Sequence, residues 1–219
     1  MNTGHKLELK PAAQQPYELA LKTGFETLLS RTPDDDRLRA LGAVRQSNTI
    51  RVPALNRCLV VDLDAREVLV DGIGRARIGW AILVVHYLAA ADVSSDEREV
   101  AFAHLADGRG YVGVFEKRIV GRFLATSGRS AERFAEMAAH LGAQSVPGSG
   151  VRYRFEVLPR VPIVIVRHED DDELGPGASV IFRADIGHLL PVEDRVVSTE
   201  LLLDSLAGKA IEESAGGPI

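Results

Sequence analysis

One continuous apolar segment constrains the fold of this chain more than any other feature. Residues 75–90 predict a helix, and apolar side chains cover almost its whole circumference. A helix of this kind cannot lie on a protein surface, so it should occupy the centre of the fold. Its longest apolar run, residues 78–91, is about 14 residues long. A membrane span needs about 20, so we expect a core helix and no membrane contact.

Composition excludes several classes of protein. The net charge is about -5 and no basic stripe is present, which argues against a nucleic-acid partner. The single cysteine, Cys58, cannot form an internal disulfide, which excludes a disulfide-stapled secreted fold. Residues 1–15 are polar and resemble no signal peptide. The interpretation is a cytoplasmic protein.

The order of the predicted elements favours an α+β fold. Predicted helices dominate the first two-thirds of the chain, and the C-terminal third contains three strand-like runs. We therefore expect helices packed on a small, mainly antiparallel sheet formed largely by the C-terminal third. The expected organisation is a flexible leader (1–15), a single domain (16–208) and a flexible tail (209–219). The strand-like runs are 57–63, 67–70, 111–115, 152–158, 163–166 and 179–183.

An acidic turn is the first candidate site. It begins at His168 and continues with Glu169, Asp170, Asp171, Asp172 and Glu173. Clustered carboxylates suit hard cations such as Mg²⁺ or Ca²⁺, although the spacing matches no calcium loop. A solvated turn between two strands explains the same residues, because charge runs usually face solvent. Both interpretations stay open.

A second candidate follows the last predicted strand. Glu193 and Asp194 suit the first turn of a helix that opens at Pro191, where the helix dipole favours acidic side chains. His188 could instead face a pocket together with the acidic turn, and a histidine with carboxylates is a possible metal or acid/base set. This composite site requires residues 168–173 and 188–194 to lie at the same end of the sheet.

His86 is the third candidate, since it interrupts the apolar run 78–91 of the predicted central helix. It could be a core histidine bonded to backbone, or it could be a pocket wall or an axial ligand. The chain contains no dinucleotide fingerprint, phosphate loop, paired-cysteine metal motif or serine elbow.

Several segments together resemble the family called domain of unknown function 3786, over roughly residues 17–203. The resemblance implies no activity, although some relatives carry a cysteine-rich iron–sulfur module in anaerobic one-carbon and corrinoid metabolism. This chain lacks those cysteines, so the iron–sulfur role does not carry over. It also has Leu174-Gly175 where the family leads us to expect Phe-Pro. The segments are Leu41-Gly42-Ala43, Leu83-Val84-Val85-His86-Tyr87-Leu88, Leu158-Pro159-Arg160-Val161-Pro162, the acidic turn, Val180-Ile181-Phe182 and Leu189-Leu190-Pro191-Val192-Glu193-Asp194.

These observations favour an accessory module that binds a small ligand or cofactor, or a protein partner. No particular cofactor is indicated. The alternative is a metal-assisted enzyme that uses the acidic turn, residues 169–173, with His188. The candidate ligand-binding residues are His86, His168, His188, Glu193 and Asp194, and the candidate metal ligands are Asp170, Asp171, Asp172 and Glu173.

Overall fold

The computed structural model of this chain describes residues 15–90, 93, 95–105, 107–168 and 176–213. Short 3₁₀ turns at Phe102–His104 and Arg109–Tyr111 and a π-helical turn at Glu116–Val120 lie between longer elements. The helices are α1 (Gln15–Ser30), α2 (Asp35–Ala40), α3 (Ile78–Ala89), α4 (Val112–Phe115), α5 (Gly121–Ala125), α6 (Ala131–His140), α7 (Ile186–Leu189) and α8 (Val192–Leu206). The strands are β1 (Val44–Gln46), β2 (Thr49–Ala54), β3 (Arg57–Asp62), β4 (Glu67–Val70), β5 (Gly74–Arg75), β6 (Glu99–Ala101), β7 (Gln144–Ser145), β8 (Val151–Leu158), β9 (Val161–Arg167) and β10 (Ala178–Arg183).

The predicted layout, with one small sheet drawn largely from the C-terminal third, is wrong. The strands form two five-stranded antiparallel sheets, ordered β1-β2-β3-β4-β5 and β6-β10-β9-β8-β7. The first sheet comes entirely from residues 44–75, in the N-terminal half of the chain. The predicted strand at 111–115 is also wrong, because these residues are helical and bury only Phe115. The segment forms a helix despite its local β propensity, because helical spacing lets it bury one side chain against the core.

The predicted burial of the central helix is confirmed. Between Trp80 and Leu88 of α3, every side chain is buried except that of His86. Leu83, Val84 and Val85 are fully inaccessible to solvent and belong to one continuous core that includes side chains from both sheets. Burial on all sides agrees with the all-round apolar sequence of α3. His86 therefore marks the one place in this stretch where the helix reaches a surface.

The end of the described chain is attached to the fold. Ile211 is buried, and the Arg77 amide donates to its carbonyl at 2.9 Å. The Glu213 amide donates to the Arg75 carbonyl at 2.8 Å. Among the described residues, no helix has the length and apolarity needed to cross a membrane.

Candidate functional site

A histidine–carboxylate pair links the central helix to α8. The His86 Nδ1 lies 2.7 Å from Oδ2 of Asp194, and the Asp194 side chain is 10% exposed whereas that of His86 is 30% exposed. A carboxylate oxygen can only accept here, so Nδ1 carries the hydrogen and donates it. The pair fixes the orientation of the imidazole ring and leaves Nε2 as its second polar atom.

Asp194 reaches this position because α8 starts immediately before it. Pro191 is the N-cap residue of α8, and Asp194 lies in the first turn, where a carboxylate interacts favourably with the helix dipole. The predicted first-turn role is therefore compatible with a second contact to His86. Asp194 is buried within the fold, and a buried carboxylate requires a hydrogen-bonding partner of this kind.

Arg195 stabilises the turn that precedes α8. Its Nε donates to the Leu190 carbonyl at 2.8 Å, and one terminal nitrogen lies 3.5 Å from the Gly187 carbonyl. The side chain is 2% exposed, and burial lowers the pKa of Arg195 from its ordinary value. An arginine still carries its charge under such conditions, so the guanidinium places a positive charge behind the turn.

His86 and His188 line the same cleft. The cleft has a volume of about 450 Å³, within the range of small-molecule sites. One wall comes from α1 and the end of α3, and the other comes from α7 and the residues that lead into α8. The lining residues are Thr23, Gly24, Thr27, His86, Ala89, Ala90, Gly187, His188, Leu189, Leu190 and Pro191.

The imidazole edge of His86 lies close to the backbone of α1. A Cβ atom on Gly24 would be only 3.0 Å from Cδ2 and 3.2 Å from Nε2 of His86. The absence of a side chain at Gly24 therefore makes room for the ring. Sequence reasoning missed this residue. The available signal was a glycine inside a predicted helix, where it costs about 0.5–1 kcal/mol relative to alanine.

Glu193 does not line this cleft. Its Oε1 accepts from Arg118 at 3.2 Å, and Arg118 also makes a two-pronged contact with Glu200 at 2.7 and 2.8 Å. The hydrogen bonds to Glu200 are the main cause that raises the pKa of Arg118. Glu193 thus forms an ion pair with Arg118 that links the π-helical turn to α8.

His168 lies away from the two histidines of the cleft. It directly follows β9, its Nε2 is 2.8 Å from the Ser179 hydroxyl, and its amide donates to Gly177. His188 follows the opposite end of β10, a strand of six residues that spans roughly 17 Å at ordinary strand rise. The acidic residues of the turn, 169–173, lie outside the described residues. Within the part of the chain that is described, no three His, Cys, Asp or Glu side chains are arranged to hold a metal ion.

A larger cavity of about 550 Å³ lies between α1 and the β4–β5 region. Its charged lining includes Lys22, Arg66 and Arg75, of which Arg75 is paired with Glu67 at 2.7 Å. None of its lining residues is a histidine or one of the predicted site residues. We give more weight to the smaller cleft, because an oriented imidazole and a second histidine converge there.

Comparison with models of protein families shows which family the chain belongs to. The model of the family described as domain of unknown function (DUF3786) matches residues 35–205. This chain belongs to that family. The match includes His86, His188 and Asp194, and it confirms the resemblance drawn from the sequence. Neither the curated proteins nor the solved structures contain a match to this DUF3786 protein.

Proposed function

We propose that this DUF3786 protein is a binding module for a small molecule, and that the cleft between α1, α3 and α7 is its binding site. The observation that supports the proposal is the 2.7 Å contact between His86 Nδ1 and Asp194, behind a ring that lines the cleft. A polar group fixed in orientation within a mainly apolar cleft is the usual composition of a ligand site. The binding residues are His86 and His188, and Asp194 positions His86.

Binding is better supported than metal-assisted catalysis. The enzyme alternative depends on residues 169–173, which lie outside the described residues. The described geometry offers one imidazole oriented by a carboxylate and a second imidazole on the same cleft. That arrangement is sufficient to orient a ligand by hydrogen bonds.

Fragment binding followed by NMR tests the proposal. Isotope-labelled protein is titrated with a panel of small anionic, neutral and cationic aromatic fragments. We expect at least one fragment to shift the amide signals of Thr23, Thr27 and Gly187, and His86→Leu to weaken that binding at least tenfold. His104→Leu is the matched control, because His104 is exposed and does not line the cleft. The proposal fails if no fragment shifts these signals, or if the shifts survive His86→Leu in a folded protein.

Gly24→Ala offers a second test that separates binding from folding. The new methyl group would lie 3.0–3.2 Å from the His86 ring and 3.0 Å from Cγ1 of Val85, so both side chains must move by a few tenths of an ångström. Alanine also favours a helix interior over glycine, which offsets part of the cost. We expect weaker fragment binding with a melting temperature within a few degrees of wild type. Gly113→Ala is the control, since nothing lies within 4 Å of a Cβ at Gly113.

A further inference from the structure

We infer that the ligand of this cleft is a small organic anion, a carboxylate group on an apolar body. The inference rests on the proposed function and adds the chemical class of the ligand. It comes from the distribution of charge around the cleft, together with the apolar composition of one wall.

Basic groups surround the cleft. Among the described residues that line it there are two histidines and no acidic side chain. Arg195 donates to the carbonyls of Gly187 and Leu190, both of which are lining residues. On the other wall, Arg37 donates to the carbonyl of Ala90. The guanidinium groups of Arg37 and Arg195 therefore lie behind the cleft walls, each hydrogen-bonded to the backbone carbonyl of a lining residue.

The carboxylate that contacts a lining residue is already engaged. The Asp194 carboxylate accepts from His86, and its side chain is almost completely buried. The end of α3 carries the partial negative charge of a helix C-terminus. Arg37 bonds to the Ala90 carbonyl at that end and offsets this charge. Arg37, together with Arg195, whose charge also interacts with Asp107, supplies the positive charge that would attract a negatively charged group to the cleft.

His86 can pair directly with such a group. Its Nδ1–H is donated to Asp194, which leaves Nε2 as the ring atom that can share a hydrogen with a carboxyl group of the ligand. Charge-assisted hydrogen bonds of this type are shorter and stronger than neutral ones. His188 supplies a second imidazole on the facing wall.

The remaining surface suits the apolar part of the ligand. Leu189, Leu190 and Pro191 form one side, and Ala89 and Ala90 contribute the other. Leu189 and Leu190 are almost fully buried and hold this side in place, whereas Pro191, Ala89 and Ala90 keep exposed surface that a ligand could cover. An acid with a small ring or short chain would cover this surface while its carboxylate reaches the histidines.

Benzoate and benzamide form a matched pair of probes, since they differ in charge and hardly in shape. Dissociation constants come from NMR titrations of the full chain at fixed ionic strength. We expect benzoate to bind at least tenfold more tightly than benzamide and to shift the cleft signals. His86→Gln should reduce this ratio towards one, and His104→Gln should leave it unchanged. His188→Gln provides an independent variant, because His188 is exposed and its replacement should not disturb the core.

Each outcome bears on a different part of the argument. Benzamide or benzylamine binding as tightly as benzoate, still dependent on His86, would overturn the anion inference and leave the binding function standing. The same holds if Zn²⁺ alone shifts the cleft signals at lower concentration than benzoate. If no probe shifts those signals, the proposed function fails together with the inference.

Discussion

The two sheets are built in different ways although both are five-stranded and antiparallel. In the first sheet, neighbouring strands are consecutive in the chain, from β1 to β5. In the second sheet, β6 pairs with β10, so residues 99–101 lie beside residues 181–183. Local hairpins form with little loss of chain entropy, and strands β7 to β10 pair in this way too. Strand β6 can join the second sheet only after a long loop closes.

The strands of the two sheets also differ in how much of their surface is buried. Strands β2, β3 and β4 alternate between buried and more exposed residues, as expected when one face of a sheet meets the core. All seven residues of β9 are buried, including Arg167. On one side of the second sheet, Phe182 of β10 packs against Phe102 and Phe115, with ring centroids 5.9–6.0 Å apart. The central strand β9 of the second sheet is therefore buried on both faces, whereas the strands of the first sheet bury one face only.

The candidate site is attached to the second sheet. Strand β10 ends at Arg183, whose guanidinium binds the fully buried carboxylate of Asp185. Asp185 is the N-cap residue of α7, which carries His188, and Pro191 then starts α8 with Asp194. A site that must hold its side chains within fractions of an ångström benefits from this rigid support. The comparison thus predicts that changes in the second sheet disturb the site more than equivalent changes in the first.

The largest expected effect is the loss of the buried carboxylate. Asp185 accepts from Arg183 at 3.0 Å and from Arg160 at 3.2 Å. Asp185→Asn removes the negative charge and leaves two arginines without it, which should lower the free energy of unfolding by about 3–5 kcal/mol. Urea denaturation at 25 °C measures the change.

Asp71→Asn is the control from the first sheet, because Asp71 pairs with Arg51 on an exposed surface. We expect no measurable change in its denaturation midpoint. Equal effects of the two substitutions would contradict the difference in burial between the two sheets.

Two turn glycines give the next comparison. Gly150, between β7 and β8, has a φ of +76°, and a Cβ there would lie 2.5 Å from the Arg167 carbonyl oxygen. Gly72, between β4 and β5, has a φ of +71° with nothing within 4 Å of a Cβ. Gly72→Ala should cost about 1–2 kcal/mol from the left-handed backbone alone. Gly150→Ala should cost about 1–3 kcal/mol more, because the carbonyl must move. Thermal unfolding monitored by circular dichroism measures both variants. Equal melting temperatures for Gly150→Ala and Gly72→Ala would contradict the predicted difference.

The contrast between local and long-range pairing explains how much of the fold could be predicted from the sequence. The all-round apolar pattern of α3 and the strand-like runs that became β3 and β4 are local signals, and both were predicted from the sequence. β2 was missed because Pro53 interrupts its alternation, although the buried positions Ile50, Val52 and Ala54 keep the period of two. β6 was missed because its three residues are partly polar and become a strand only through pairing with β10.

The site was predictable only in part, for the same reason. His86, His188 and Asp194 were each candidates on local grounds. Their arrangement was not predictable, because His86 and Asp194 are 108 residues apart and meet through the packing of α3 against α8. The composite of His188 with the acidic turn was the nearest sequence hypothesis. That hypothesis paired segments on either side of one strand. In the fold, His86 instead pairs with Asp194, which comes from a distant segment.

The smallest expected effect concerns the exposed pair of the first sheet. The hydrogen bond from Arg51 is the main cause that lowers the pKa of Asp71, and desolvation opposes it. A carboxyl group with a lowered pKa stabilises the fold above its unfolded pKa of about 3.9. That contribution disappears as the pH falls through the lower folded value. Carbon-13 NMR should show Asp71 titrating below this ordinary range, and Arg51→Gln should return its midpoint towards about 3.9. The denaturation midpoint near neutral pH should hardly change, because solvent screens an exposed pair. If Arg51→Gln instead destabilised the protein as strongly as Asp185→Asn, the first sheet would depend on its surface charges, and the contrast between the two sheets would be lost.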